Sequence, residues 1–380
     1  ALMLLQIPLA ALVSRTHKRK RYMLTYGLIS RMLWITVGLV PYFLPLSPGW
    51  LRLWSVIFLV GMSACGNALI TVSWFPWLAD LLPIGIRGRW FSLRDAINAL
   101  IGVFFGLFIA YLLDTMPGYT GYSMVFLIGG IFGTLDMASF FFAKEVYSHP
   151  PAKVRIGKTI GEIFRDKPFI RLTLFWTAWC FTANISGPYF NRYVLDEMGL
   201  TFTQLTVCGQ IAASLTAFLV IPRWGRLLDR YGAKPVLWVS CIVASLTPVF
   251  FCFSVPGSVL PTLLHNVIGA AFWSAANLTV TNMQLSHSPD HLRPSYIAVF
   301  ACLSALGGVF LGTLSGGAMI EGIRALNTAY SPSIFGLTPD PYKITFFISV
   351  VTRLGIVLFF VPRIDNEKGV AARQMIGETM

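Results

Sequence analysis

Runs of about twenty apolar residues, separated by short charged segments, recur along the whole 380-residue chain. A helix of this length spans the hydrocarbon core of a bilayer. Only 12% of the residues are charged and 56% are hydrophobic, whereas about a quarter of the residues in a soluble protein are charged. The sequence therefore predicts an all-α, polytopic membrane protein.

The apolar runs define ten complete crossings of the membrane and one partial crossing. The partial run, 1–13, leads directly into a basic cluster and is interpreted as the end of a crossing whose beginning is absent. The complete crossings are expected at 23–45, 50–79, 90–113, 122–146, 169–190, 203–222, 235–256, 258–285, 294–320 and 342–362.

One long polar connection divides these crossings into two groups, and its sequence suggests a short amphipathic helix after a Pro pair. A Pro- and Gly-rich irregular turn is expected near 331–341. The predicted organisation is an incomplete N-terminal bundle of five crossings at 1–146, a cytoplasmic linker at 147–168, a C-terminal six-helix bundle at 169–363 and a cytoplasmic tail at 364–380.

The distribution of basic residues predicts the topology. Most of the 29 Lys and Arg residues fall in alternate loops, which the positive-inside rule places in the cytoplasm. The bias predicts a cytoplasmic C-terminus, and an inner-membrane location if the protein is bacterial. It also explains the net charge of +13 without a nucleic-acid partner. Only four basic residues belong to loops on the other side: Arg52, Arg192, Arg324 and Lys343.

The chain contains an internal repeat. Residues 80–114 can be laid on 286–320 without a gap, which pairs Arg87 with Arg293. The repeat implies two halves in the same orientation. Parallel repeats about an axis along the membrane normal are typical of one large class of transporters.

The segment 225–237, GRLLDRYGAKPVL, joins two apolar runs. It resembles the cytoplasmic loop motif of the major facilitator superfamily, G-x-L-x-D-R-x-G-R-K followed by apolar residues. The family carries a copy after its second and eighth crossings, so the resemblance implies that crossings two to twelve of a twelve-helix pattern are present. The amino-terminal copy, 12–24, departs from the pattern because Ser14 replaces the acid. The residues that match in the second copy are Gly225, Asp229, Arg230, Gly232 and Lys234.

The resemblance implies that these loops close the cytoplasmic side in an outward-facing state. An Asp at a helix end can accept hydrogen bonds from a neighbouring helix start while it pairs with an Arg. We expect Gly225 to allow close helix approach and Gly232 to permit the backbone of a short reversal. A static loop cap and topology signal is the alternative to a gate. The expected latches are Asp229 with Arg230, and Asp80 with Arg87 and Arg15, with Arg293 as the counterpart of Arg87.

Ionisable residues at mid-depth in a membrane are costly and usually face a cavity or a partner. Asp136 is the candidate for coupling transport to protons, and the alternative is that it pairs with a buried Arg or a serine. Arg353 and Arg31 are candidates for attracting an anionic substrate, while snorkelling or internal pairing is the alternative for each.

The stretch 176–193 combines aromatic and amide side chains within one crossing. Gly187-Pro188 is expected to break or kink this helix and to free backbone groups at membrane depth. Helix-packing aromatics are the alternative interpretation. The expected substrate-binding residues of this stretch are Trp176, Trp179, Asn184, Tyr189 and Asn191.

No nucleotide-binding loop, hydrolase motif or Cys/His metal spacing occurs in the sequence. We therefore expect no enzyme activity, no cofactor and no metal. The sequence predicts a monomeric secondary transporter in a lipid bilayer that moves a small solute by alternating access. Sugar-like and organic-anion substrates both fit, and proton coupling by symport is left open. The alternative is a transport-inactive protein of the same fold that acts as an assembly factor, a sensor or a lipid-handling protein.

Overall fold

The computed structural model describes residues 19–44, 49–81, 84–143, 156–289, 292–330 and 340–364. Within these ranges every regular element is a helix. The chain divides into two compact units, Ala1–Lys153 and Val154–Met380. This division falls inside the linker expected at 147–168, while the predicted domain bounds themselves stay predictions.

The first unit contains four long helices, and its first helix packs against the second and the fourth. They correspond to the four crossings predicted between 23 and 146, whereas the partial crossing at 1–13 lies outside the described residues. The helices are α1 (Arg19–Phe43), α2 (Gly49–Leu81), α3 (Ile84–Thr115) and α4 (Tyr119–Ser139), which continues into a 3-10 turn at Phe140–Phe142.

Small residues hold α1 close to its neighbours. Ser30 Oγ donates to the carbonyl of Ser63 at 2.9 Å, and Ser63 Oγ donates to the carbonyl of Ser30 at 3.1 Å. On α4, an added Cβ at Gly130 would lie 2.8 Å from the backbone nitrogen of Ile35. Helices in lipid associate through such close packing and interhelical hydrogen bonds, because hydrophobic burial offers no driving force there.

The second unit contains a short helix followed by six long helical segments. The short helix is the one that the linker sequence suggested, and its Ile163 is fully buried. The helices are α5 (Ile156–Arg165), α6 (Lys167–Asp196), α7 (Phe202–Leu205, π-helical Thr206–Ile211 and Ala212–Tyr231), α8 (Ala233–Leu246, resumed at Val249–Cys252), α9 (Leu260–Ser286), α10 (Arg293–Leu303, π-helical Ser304–Phe310 and Leu311–Tyr330) and α11 (Pro341–Phe360, with a 3-10 turn at Val361–Arg363).

The central helix of this unit is α6, which packs against α9, α10 and α11. It begins at an N-cap, where a carboxylate oxygen of Asp166 accepts from the backbone N–H of Phe169 at 3.2 Å. The same carboxylate accepts from the Tyr296 hydroxyl on α10 at 3.2 Å. Capping supplies the acceptor that the first turn of a helix lacks, and here it also fixes α6 to α10.

The prediction of a break at Gly187-Pro188 is wrong, because α6 runs without interruption from Lys167 to Asp196, while the alternative of a kink there stays a prediction. The helical irregularities lie instead in the π-helical turns Thr206–Ile211 and Ser304–Phe310. The second of these turns packs against α6. Single π-helical turns often occur at functional sites.

Glycines of α10 bring its backbone against α6 at Gly308, Gly312 and Gly316, which we call the glycine seam. A Cβ on Gly312 would overlap the carbonyl oxygen of Phe181, and a Cβ on Gly316 would overlap that of Ile185. Glycine is therefore required at these positions by packing rather than by an unusual backbone conformation.

Seven described segments are long and apolar enough to cross a membrane. The helices α6 and α9 are long enough but fall below this apolarity, because polar side chains interrupt them. The less apolar helices are thus the ones at the centre of the second unit. The seven segments are Met23–Phe43, Gly49–Asn67, Tyr119–Phe142, Phe202–Tyr231, Ala233–Cys252, Ser295–Ala329 and Pro341–Arg363.

We expect Gly316→Ala to destabilise the second unit by about 1–3 kcal/mol, since overpacking forces neighbouring backbones apart. Gly322→Ala is the matched control on the same helix, because a Cβ at Gly322 meets nothing within 4 Å. Thermal unfolding of the purified protein in detergent, followed by tryptophan fluorescence, measures both. Equal unfolding temperatures for the two variants would contradict the conclusion that packing at the seam requires glycine.

Candidate functional site

A buried arginine of α11 reaches across to α6. One Nη atom of Arg353 donates to Ser186 Oγ at 2.9 Å and to the carbonyl of Ala183 at 3.0 Å, and the other donates to the carbonyl of Ala244 at 3.5 Å. Only 2% of the arginine surface is exposed. All these acceptors are neutral, so these hydrogen bonds leave the guanidinium charge uncompensated.

A serine one helical turn earlier extends this contact. Ser349 Oγ donates to the carbonyl of Thr182 at 2.7 Å and accepts from Ser186 Oγ at 3.0 Å. Thr182, Ser186, Ser349 and Arg353 are all buried, and we call them the α6–α11 polar cluster. The cluster binds carbonyls of the α6 turn just before Gly187-Pro188.

This cluster joins α6 to α11 just before Pro188. Proline removes one backbone donor and crowds the preceding turn. The carbonyl that Pro188 leaves without its helical donor is that of Asn184, whereas Arg353 and Ser349 donate to the carbonyls of Ala183 and Thr182. The cluster therefore holds α11 against α6 beside the proline, but it does not replace the donor that the proline removes.

The spacing of polar residues in the sequence is a signal for this cluster that the predictions above did not use. Thr182 and Ser186 are four residues apart on α6, and Ser349 and Arg353 are four residues apart on α11. Residues at this spacing share one face of a helix. Polar pairs at that spacing in two apolar helices could therefore have indicated that the helices contact each other.

The aromatic residues of the predicted binding stretch pack against other helices. The rings of Trp176 and Trp179 lie 6.2 and 5.3 Å from the ring of Trp273 on α9, and Trp179 is fully buried. Tyr189 donates its hydroxyl to the carbonyl of Thr313 on α10 at 2.8 Å. These contacts agree with the helix-packing alternative, and a role in substrate binding stays a prediction.

The two amides of the stretch differ in their surroundings. Asn184 Nδ2 donates to the carbonyl of Cys180 in its own helix at 2.8 Å. Asn191 is exposed near the end of α6. Of the residues predicted to bind substrate on this helix, Asn191 has the most accessible side chain, while Asn184 lies at the glycine seam.

Some buried polar atoms beside the seam have no hydrogen-bond partner in the described part of the chain. They include Thr177 Oγ1 on α6 and Ser304 Oγ in the π-helical turn of α10, while Trp179 Nε1 is another such atom on the part of α6 that packs against α9. Buried polar atoms are normally hydrogen-bonded, so each such group needs an explanation. An unfilled requirement for hydrogen bonds thus exists on both sides of the α6–α10 contact.

In the first unit, Arg31 on α1 lies beside Asp136 on α4. The two side chains interact electrostatically. Gly133 leaves space for the side chain of Arg31, since an added Cβ at this glycine would lie 2.7 Å from Arg31 Cδ. Asp136 is exposed, and Arg31 Nε has no hydrogen-bond partner among the described residues. The arrangement agrees with the pairing alternative, and a coupling role for Asp136 stays a prediction.

The charged turn between α7 and α8 is built around Gly232, whose φ of 86° and ψ of 172° suit only glycine well. Lys234 Nζ donates to the carbonyl of Pro362 at 2.8 Å, which fixes the turn to the end of α11. The expectation that Gly225 allows close helix approach is wrong, because a Cβ at this position meets nothing within 4 Å. Asp229 and Arg230 are exposed in the last turn of α7.

The side chains of the other predicted gate residues lie outside the part of the chain that the structure describes. Arg15 lies outside the described residues. The backbones of Asp80, Arg87 and Arg293 belong to α2, α3 and α10, but their side chains are outside the description. The latches therefore stay predictions.

Long apolar helices, helix contacts through small residues and polar side chains at membrane depth define an integral, multi-pass membrane protein. A family model described as Major Facilitator Superfamily matches residues 1–312. The chain belongs to this superfamily, and membership supports a secondary transporter.

Solved structures of transporters share this fold. A nucleoside transporter NupG mutant has a TM-score of 0.65 and 14% identity, with 95% of this chain and 87% of that chain covered. A bacterial homologue of the human lysosomal transporter Spinster, inward-facing and occupied, has a TM-score of 0.65 and 17% identity, with 95% and 85% covered. An auto-inhibited POT family peptide transporter has a TM-score of 0.70 and 11% identity, with 95% and 86% covered. A search of curated proteins found no match.

We expect Ser349→Ala to lower the stability of the second unit by about 1 kcal/mol, because two interhelical hydrogen bonds are lost and each contributes about 0.6 kcal/mol in membrane proteins. Ser315→Ala is the matched control, since Ser315 Oγ donates only to the carbonyl of Leu311 in its own helix. Thermal unfolding in detergent compares the two. If Ser315→Ala lowers the stability as much as Ser349→Ala does, the interhelical hydrogen bonds of the cluster make no special contribution to stability.

Proposed function

We propose that the chain moves a small polar solute across the membrane by alternating access, as a monomer with its C-terminus in the cytoplasm. Membership of the superfamily supports transport as such. The observation that carries the polar class of the solute is the pair of buried polar atoms without partners among the described residues at the α6–α10 contact, on Thr177 and Ser304. A polar solute, with its water, would complete their hydrogen bonds when the helices separate.

The residues proposed to bind the solute lie on or against α6. Asn184 and Asn191 would hydrogen-bond hydroxyl or carboxylate groups, and the aromatic residues Trp176, Trp179 and Tyr189 would present ring faces. Sugar-like and organic-anion solutes both fit these groups. The printed names of the structural neighbours refer to nucleosides and peptides, which are also polar.

Two arginines at membrane depth would add a preference for anions. The described hydrogen bonds of Arg353 go to neutral acceptors. Arg31 faces a carboxylate instead. An anionic substrate would therefore depend on Arg353 more than on Arg31, through the charge that Arg353 gives to the interior of the second unit.

Proton coupling is proposed to reside at Asp136. Asp136 is a carboxylate beside Arg31 in a helix that crosses the membrane, and ionisable residues in such positions often form proton relays. Protonation would release Arg31 from the pair. Such an exchange of partners is a means by which proton binding could shift the equilibrium between two conformations.

The cytoplasmic gate is proposed to be the turn between α7 and α8. Asp229 and Arg230 would form contacts that break when the cytoplasmic side opens, while Gly232 and the bond from Lys234 to Pro362 hold the turn in place. Asp80 with Arg87 and Arg15, and Arg293 in the repeat, would serve the corresponding loops.

Transport is tested first by a thermal-shift screen of the purified protein against nucleosides, sugars, small organic acids and peptides, because a ligand of the native state raises its apparent stability. A solute that stabilises the protein is then tested for saturable counterflow in proteoliposomes. We expect Asn191→Ala to weaken its apparent affinity three- to ten-fold, the effect of one lost hydrogen bond. Failure of every solute would favour the transport-inactive alternative.

Proton coupling is tested in the same proteoliposomes with Asp136→Asn. The amide cannot take up a proton, so accumulation driven by a pH gradient should fall to the level of a gradient-free sample while counterflow persists. Asp196→Asn is the matched control, because Asp196 forms an exposed ion pair with Arg192 at the end of α6. Gradient-driven accumulation by Asp136→Asn at the wild-type level would exclude this residue as the coupling site.

The gate is tested with Asp229→Asn, which removes one charge from the turn. We expect a larger population open to the cytoplasm and an altered transport rate. Distances between spin labels on the cytoplasmic ends of the helices, measured by pulsed electron paramagnetic resonance, report the population. Glu162→Gln, a change at an exposed acid on α5, serves as the control. If neither population nor rate changes in Asp229→Asn, the turn is a static cap.

A further inference from the structure

A groove lies in the first unit where the start of α1 meets the end of α4. Its volume is about 360 Å³, and it is lined by Lys20, Arg21, Leu24, Thr25, Leu28 and Phe141. This volume is within the range of small-ligand sites, about 300–1,000 Å³. None of the six lining residues is acidic.

Charge and apolar surface are separated along this groove. The apolar crossing segment of α1 begins at Met23, so Lys20 and Arg21 precede it, whereas Leu24 and Leu28 lie within it. Leu28 is about two turns beyond Lys20, roughly 12 Å along the helix axis. The basic end of the groove is therefore at the membrane surface and its apolar end points into the hydrocarbon.

The lysine at the basic end is fixed in position. Lys20 Nζ donates to the carbonyl of Phe141 at 3.1 Å and to the carbonyl of Ala143. An ammonium group has three donors, so one remains after these two bonds. Both acceptors are neutral, and Arg21 beside the lysine is exposed. The ammonium group of Lys20 is thus held at a prepared position, and Arg21 adds a second positive charge on the next residue.

The aromatic part of the apolar wall is exposed. Phe141 is 56% exposed and the adjacent Phe142, outside the groove, is 93% exposed, whereas Leu24 is only 7% exposed. Large exposed apolar side chains mark surfaces that contact a membrane or another protein. The groove thus offers an anion site continuous with a surface for a hydrocarbon chain.

We propose that this groove binds one anionic phospholipid of the cytoplasmic leaflet, with the phosphate at Lys20 and Arg21 and an acyl chain along Leu24, Leu28 and Phe141. The distribution of basic residues predicts that this end of α1 is cytoplasmic, and the cytoplasmic leaflet carries anionic lipid that attracts basic segments. The lipid fixes α1 to α4 at the end where Lys20 already joins them. This site is independent of the proposed transport function.

The test is the thermal stability of the full chain in detergent during titration with dioleoyl phosphatidylglycerol or dioleoyl phosphatidylcholine. Phosphatidylglycerol should stabilise the protein at concentrations where phosphatidylcholine does not. Arg21→Gln should weaken the apparent affinity about five-fold, the contribution of one basic residue near the membrane surface. Thr25→Trp, which fills the groove without changing the charge, should abolish the difference between the two lipids.

Arg223→Gln is the matched control, since it removes an exposed arginine of α7 outside the groove and should leave the lipid preference unchanged. If Arg223→Gln weakens the affinity for phosphatidylglycerol as much as Arg21→Gln does, the lipid preference comes from the general surface charge and not from the groove. The same titration is carried out with glycerol phosphate and with inorganic phosphate. If either stabilises the protein as much as phosphatidylglycerol does, the groove binds a soluble anion and the lipid proposal is wrong. Equal affinity of the wild type for both lipids would also overturn the proposal.

Discussion

The backbone of a helix in lipid must find its hydrogen-bond partners within the protein, because no water replaces a missing one. Pro188 tests this constraint in the last third of α6, because it lacks the backbone donor that the carbonyl of Asn184 would meet in a regular helix. Arg353 and Ser349 on α11 donate to the neighbouring carbonyls of Ala183 and Thr182. Helix α6 continues as one element through the proline to Asp196, so Tyr189 and Asn191 stay on the same helix as the aromatic residues before it.

The helices were predictable because hydropathy and length determine them almost completely in a membrane protein. The turn at Gly232 was also predictable, since its backbone conformation selects glycine. The partners of Arg353 were not, because hydropathy does not say which face of α11 meets which face of α6. The continuous helix at Pro188 was not predictable either, because a local rule for proline does not include the packing of α6 against its neighbours.

The candidate site could be predicted only in part. Residue type drew attention to α6, but the side chains of Trp176, Trp179 and Tyr189 are in contact with α9 and α10, and their role in binding stays a prediction. The π-helical turn Ser304–Phe310 left no visible signal in the sequence beyond its two glycines. Its position against α6 depends on packing between segments that are more than one hundred residues apart, which a single sequence does not reveal.

The glycine seam has a consequence for how this protein could change its specificity. Along Gly308, Gly312 and Gly316, α10 has no side chains to present, and any replacement would collide with the backbone of α6. At these three positions mutation can therefore alter the chemistry of the contact only from the α6 side. The backbone of α10 stays constant in shape there while the facing side chains of α6 are open to variation, so related chains should differ along this contact mainly on α6.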